Sequence, residues 1–260
     1  MFRLVCVQCK KVFLRNDVRW ILAIFAILPI LISFLISIES GIIQIGDSVF
    51  TAMGYASVVV GLLNSLLLVS VTMALTSTSV ISKEIDSGLD CMYVTKVRHR
   101  EHIIASKIAT LDMLVVATFA VLVVSALIGW YAFLRNSPFG TDIFWSDDKD
   151  ESFMLLYTVV GSFLEMIVMT KMYVLFSLLF KYSKAIVFNF VTIVLLRLLA
   201  NIEQISKWIP SYIGAGTDLY GYVGNELLQH GMSNVALLLS YAIVISVIDY
   251  FIYMKIDLCR

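Results

Sequence analysis

The chain has 260 residues, equal numbers of acidic and basic side chains, and a composition that is 60% hydrophobic and 15% charged. An ordinary soluble domain runs at about 45–50% apolar and about 25% charged, so a water-soluble globule is excluded: it has no means of covering this much apolar surface. The zero net charge provides no electrostatic footprint for nucleic acid.

Residues 1–19 carry Phe2, Val5, Cys6, Cys9, Val12 and Phe13 at helical spacing, with Arg3, Lys10, Lys11 and Arg15 largely elsewhere on the wheel. This pattern predicts a basic amphipathic helix lying in the membrane interface, with a frayed basic tail as the alternative. Cys6 and Cys9 form a C-x-x-C. With Cys91 and Cys259 they contain the donors for a zinc site, but a lone C-x-x-C reads more simply as apolar packing, so no metal is expected.

Six apolar runs reach or approach the ~20 residues that cross a bilayer as a helix. They lie at Trp20–Ile38, Val58–Ile81, Met113–Leu134, Phe153–Phe180, Ala185–Ala200 and Met232–Met254. Lipid offers the backbone no hydrogen-bond partners, so only helices or closed barrels cross it, and these runs are too long and unalternating for barrel strands. The expected fold is therefore an all-α integral membrane protein with six transmembrane helices forming a single domain over residues 1–260. The first run is too long for a secretory leader and no A-x-A-like site follows it, so it is expected to remain as an anchor.

Between the second and third spans lies a polar stretch, residues 82–107, SKEIDSGLDCMYVTKVRHREHIIASK. Fourteen of the nineteen Lys and Arg residues fall before the first span, in this stretch, after the fourth span or at the C-terminus, against Arg135, Lys149 and Lys207 on the opposite side. The positive-inside rule then puts both termini and the polar stretch in the cytoplasm. The segment 135–152, RNSPFGTDIFWSDDKDES, reads as an external acidic loop whose spacing fits no calcium-binding loop. Residues 201–231 interleave Trp208, Pro210, Tyr212, Tyr220 and Tyr222 with Gly and Asp, which predicts short helices that lie on or dip into the outer leaflet.

Three charges are singled out within spans: Glu165, Lys171 and Arg197. Such residues are costly in lipid and are either structurally paired or line a path. The turn Lys181–Lys184 makes spans four and five a hairpin. At 1.5 Å per residue, Glu165 lies roughly 24 Å and Arg197 roughly 20 Å above that turn, so the two are expected to clasp. Lys171, at roughly 15 Å, meets no acid on span five and is expected to find a helix-end carbonyl or water. No G-x-x-x-x-G-K-[ST] and no H-E-x-x-H occurs, so the chain is not expected to be an enzyme.

The stretch Lys83, Glu84, Ser87, Gly88, Leu89, then Met92, Tyr93, Val94, Thr95, Lys96, then Arg100, Ile103, Ile104 and Lys107, resembles the coupling loop of ABC exporter permeases of type 2, the ABC-2 family. Val97 stands where that family commonly has proline, and its Gly-Thr-Leu-Glu is shortened to Gly88-Leu89-Asp90. The layout of N-terminal helix, six spans and external dipping segment is similar over nearly the whole chain. The resemblance implies a coupling helix that docks on a separate ATPase present in two copies, with ATP and Mg bound there and no cofactor in this chain. It implies contact through Glu84, Gly88, Leu89, Met92, Tyr93, Thr95, Arg98 and Arg100, and a second permease copy or paralogue in the surrounding lipid. The cargo it implies is an amphipathic peptide, a lipid-like compound or a drug. The alternative is a secondary transporter or channel using Glu165, Lys171 and Arg197.

Overall fold

The computed structural model describes residues 2–38, 50–96 and 100–256, and these form an all-α protein with several helices long and apolar enough to cross a membrane. In chain order they are α1 (Phe2–Phe13), α2 (Asn16–Ser37), α3 (Ala52–Ser65), α4 (Leu68–Val80), α5 (Ser82–Asp86), α6 (Leu89–Lys96), α7 (Glu101–Gly129), α8 (Lys149–Leu179), α9 (Tyr182–Leu199), α10 (Glu203–Ser206), α11 (Pro210–Ala215) and α12 (Gly224–Lys255). Five of them, α2, α7, α8, α9 and α12, meet the length and hydropathy of a span alone; the broken pair α3 and α4 meets it jointly.

The second expected span differs most from its sequence reading. It starts at Ala52 rather than Val58 and is broken between Ser65 and Leu68, where the chain bends by 59°. Leu67 takes φ +60° there, a left-handed conformation costing a side-chain-bearing residue roughly 1–2 kcal/mol. No Gly or Pro marks the break. Its local signal is the polar pair Asn64-Ser65.

α8 is the hub, packing against α3, α4, α7, α9, α11 and α12. α2 lies along α7, and the two approach closely because Gly129 faces Ile30 and Ser33; a Cβ at Gly129 would come within 2.6 Å of the Ser33 hydroxyl. Pro29 inside α2 lacks the N–H that would reach the Phe25 carbonyl. The Ser125 hydroxyl donates to that carbonyl at 3.3 Å, and Tyr55 donates to the Pro29 carbonyl at 2.6 Å. The carbonyls of Phe25 and Pro29 are thus both met by neighbouring helices, as membrane helices require.

The contacts sort the chain into two ends. At one end, Ser82 donates to the Phe180 carbonyl, the Tyr182 N–H donates to Asp86, and Arg100 reaches the last turn of α12. At the other, the Phe50 N–H donates to the Phe139 carbonyl, and Asp150 accepts from the Gly224 N–H. α1, the polar stretch, the α8–α9 turn and the end of α12 therefore share one end.

α1 packs along α7 with Val5, Gln8 and Val12 buried. Cys9 lies against Thr110 and Met113, as apolar packing predicts, whereas Cys6 is exposed; both thiols are free. Cys259 lies outside the described residues, and with it the four-cysteine arrangement. In the segment 201–231, α11 packs on α8 through Gly214, whose Cα sits against Gly161 and Glu165. Glu165 is close to the middle of the 31-residue α8, so α11 descends well below the helix ends. Trp208 and Tyr220 remain exposed.

Candidate coupling elbow and intramembrane charge clusters

The polar stretch is an elbow of two short helices. α5 runs directly on from α4 and ends at Ser87; Gly88, at φ +71° with open space where a Cβ would sit, turns the chain into α6. Leu89 and Met92 on α6 are exposed, at 40% and 58%. Tyr93 is half-buried, with the Lys11 ammonium 5.6 Å from its ring centre. Thr95 lies in α6, and Arg98 lies outside the described residues. Val97, where the resembling loops carry proline, also lies outside them.

Behind the elbow sits a buried ion cluster. Glu84 accepts from Lys11 at 2.7 Å and lies 3.3 Å from the Lys107 ammonium. Lys107 donates to Asp90 at 2.5 Å, and both of those side chains are fully buried. The Tyr253 hydroxyl lies 3.4 Å from Asp90. Burial disfavours the Lys11 charge, but its hydrogen bond and attraction to Glu84 prevail and raise its pKa above the ordinary lysine value. Arg100 donates to the Tyr253 carbonyl at 2.6 Å and also to that of Ile256, and its guanidinium lies over the Tyr253 ring. A cation here meets the carbonyls left unpaired at the end of α12.

Glu84 and Arg100, which the resemblance implies as contacts to an ATPase, make ion pairs and hydrogen bonds within the chain, to α1, α7 and α12. Lys107, the last residue of the polar stretch, is a core residue, because α7 begins at Glu101 and not at Met113. The outward surface of the elbow is left to Leu89 and Met92.

Glu165 and Arg197 clasp, as the depth argument expects, with 3.6 Å between Nη2 and Oε1. A third member joins them. The Asn64 amide donates to Glu165 Oε2 at 2.7 Å, and Arg197 donates to the Asn64 carbonyl at 3.0 Å. Breaking the helix at Ser65–Leu67 leaves terminal carbonyls of α3 without intrahelical partners. Arg197 places its positive charge at that end, and the clasp is anchored to the break.

Lys171 departs from its expected partner. It donates to both carboxylate oxygens of Asp112 on α7. Asp112 stands one residue before the expected start of the third span at Met113, and Asp249 lies within the sixth apolar run; neither belongs to the three intramembrane charges the sequence points to. Asp249 is fully buried, and neither of its oxygens has a hydrogen-bond partner among the described residues.

A comparison with the models of known protein families finds no match, and no curated protein matches the sequence.

Proposed function

We propose that the chain is the membrane permease subunit of an ATP-driven ABC exporter of type 2, working with a separate ATPase. In this reading the elbow α5–Gly88–α6 is the coupling helix, it faces the cytoplasm with both termini, and two ATPase subunits act on two permease chains. ATP and Mg are held by the ATPase, and this chain is not itself the hydrolase. The cargo is an amphipathic peptide, lipid-like compound or drug moved outward through the cell membrane.

The observation that carries the reading is the construction of the elbow. Leu89 and Met92 are presented on a short helix whose back is fastened by the Lys11–Glu84–Lys107–Asp90 cluster. An exposed apolar pair on a seat tied to three helices suits the transmission of a push: force on α6 passes into α1, α7 and, through Tyr253, α12. Further support comes from the resemblance of residues 83–107 to ABC-2 coupling loops, and from the descent of α11 beside α8.

The reading is tested by transport of labelled amphipathic peptides and dyes from cells expressing the chain with and without an ABC ATPase of the same organism. Export that needs both chains and fails with a hydrolysis-deficient ATPase supports it. Export by this chain alone, driven by an ion gradient, would move the assignment to a secondary transporter.

A further inference from the structure

We propose that the cavity at the elbow end, between α5, the end of α8 and the end of α12, binds the phosphodiester headgroup of an anionic phospholipid. The proposal stands independently of the export reading and requires no ATPase.

The cavity has a volume of about 580 Å³, within the range of small-molecule sites, roughly 300–1,000 Å³. Its walls include Ile85 and Asp86 of α5, Leu179 and Lys181 around the end of α8, and Lys255 and Ile256 at the end of α12. α8 and α12 are each long and apolar enough to span a membrane, so a cavity at their ends lies at the level of the headgroups. Basic pockets between spans at this level are a recurrent form of headgroup site.

The sign of the occupant follows from which partners are already taken. Lys181 and Lys255 line the cavity and are exposed, and among the described residues neither ammonium has a hydrogen-bond or ion-pair partner. Lysines at helix ends ordinarily meet the free carbonyls there. Here the Tyr253 and Ile256 carbonyls at the end of α12 accept from Arg100, and the Phe180 carbonyl beyond α8 accepts from Ser82 at 2.9 Å. Asp86, the acid in the lining, accepts from the Tyr182 N–H at 2.7 Å. Two ammonium groups against one carboxylate leave one positive charge in excess, which a phosphodiester monoanion balances. The rest of the lining favours a lipid over a free phosphate or a nucleotide. Ile85, Leu178, Leu179, Phe180 and Ile256 present hydrocarbon, and Leu179, 53% exposed, carries that apolar wall to the outside of α8. A headgroup held by the two lysines thus has its acyl chains leaving along a span.

The test uses the purified full chain in detergent, with bound lipid counted by native mass spectrometry. The probes are dioleoylphosphatidylglycerol and dioleoylphosphatidylcholine, which share their chains and their phosphodiester and differ in net charge. The anionic lipid is expected to bind saturably and at least fivefold more tightly. Lys181→Gln combined with Lys255→Gln should remove that preference. Arg3→Gln combined with Lys10→Gln, an equal change of charge on α1 at the same end, should keep it. If the first pair fails to fold, Lys255→Gln alone decides the matter and should reduce the preference at least twofold. Glycerol 3-phosphate, a headgroup phosphate without chains, should not displace the lipid at equal concentration. Equal binding of the two lipids, a preference that survives loss of the lysines or falls as far in the α1 variant, or displacement by glycerol 3-phosphate would each overturn the proposal.

Discussion

Charged side chains in this protein are placed by their partners, and their energetics follow from what remains when one is removed. Glu165 is 1% exposed and carries both Asn64 and Arg197. Glu165→Gln and Arg197→Gln should each destabilise by about 2–3 kcal/mol, below the ~3–5 kcal/mol of a fully buried pair because Arg197 is partly exposed. The double variant should regain much of that loss; thermal unfolding in detergent measures it, and strictly additive losses would show that the two do not act as a pair. Lys107 lies between Glu84 and Asp90, its own side chain fully buried, and shares Glu84 with Lys11. Lys107→Met therefore leaves two buried carboxylates against the single Lys11 and should cost at least as much as the ~3–5 kcal/mol of breaking one buried pair. Addition of Asp90→Asn should restore part of it. The sequence made the Glu165–Arg197 clasp readable, since depth along a hairpin is arithmetic. It did not reveal the Lys171–Asp112 pair, because the partner stands on a third helix whose register against α8 is set by packing, and hydropathy places Asp112 at a boundary.

Among the elements, the glycines show where close approach or unusual backbone is required. Gly214 faces Glu165 and Gly161, and a Cβ there would come 2.6 Å from the Glu165 Cβ and 3.0 Å from the Gly161 carbonyl oxygen. Gly214→Ala should push α11 away from α8 and cost about 1–3 kcal/mol as overpacking. Gly88→Ala meets open space and carries only the strain of φ +71°, roughly 1–2 kcal/mol. The two variants thus separate function from fold: unfolding temperature should fall more for Gly214→Ala, while Gly88→Ala should impair coupling with the chain still folded. The long helices were legible from apolar run length, with ends misplaced by several residues wherever a charge inside a helix was taken for a loop. The break between α3 and α4 was not legible, because it is stabilised by Glu165 and Arg197 from distant parts of the chain. The elbow's helices were legible as a polar island; their inward-facing charges were not, since a short sequence does not distinguish a solvated ion from a buried pair.

For the whole molecule, the contacts that gather α1, the elbow, the α8–α9 turn and the end of α12 at one end agree with an even number of crossings. Cysteines introduced at Asn136 and Tyr220 should react with an impermeant thiol reagent applied to intact cells, and one at Met92 only after lysis. Labelling at Met92 from outside would invert the proposed orientation. The central claim is that the elbow seats an ATPase, and the most direct measurement is site-specific crosslinking. A photoreactive amino acid at Met92, in cells that also express the cognate ATPase, should yield an adduct identified by mass spectrometry as that ATPase. The yield should change when nucleotide is trapped with vanadate. The same amino acid at Tyr220, at the far end, should yield no such adduct. A folded, membrane-inserted chain that crosslinks to no ATPase from Met92 or Leu89 would contradict the account.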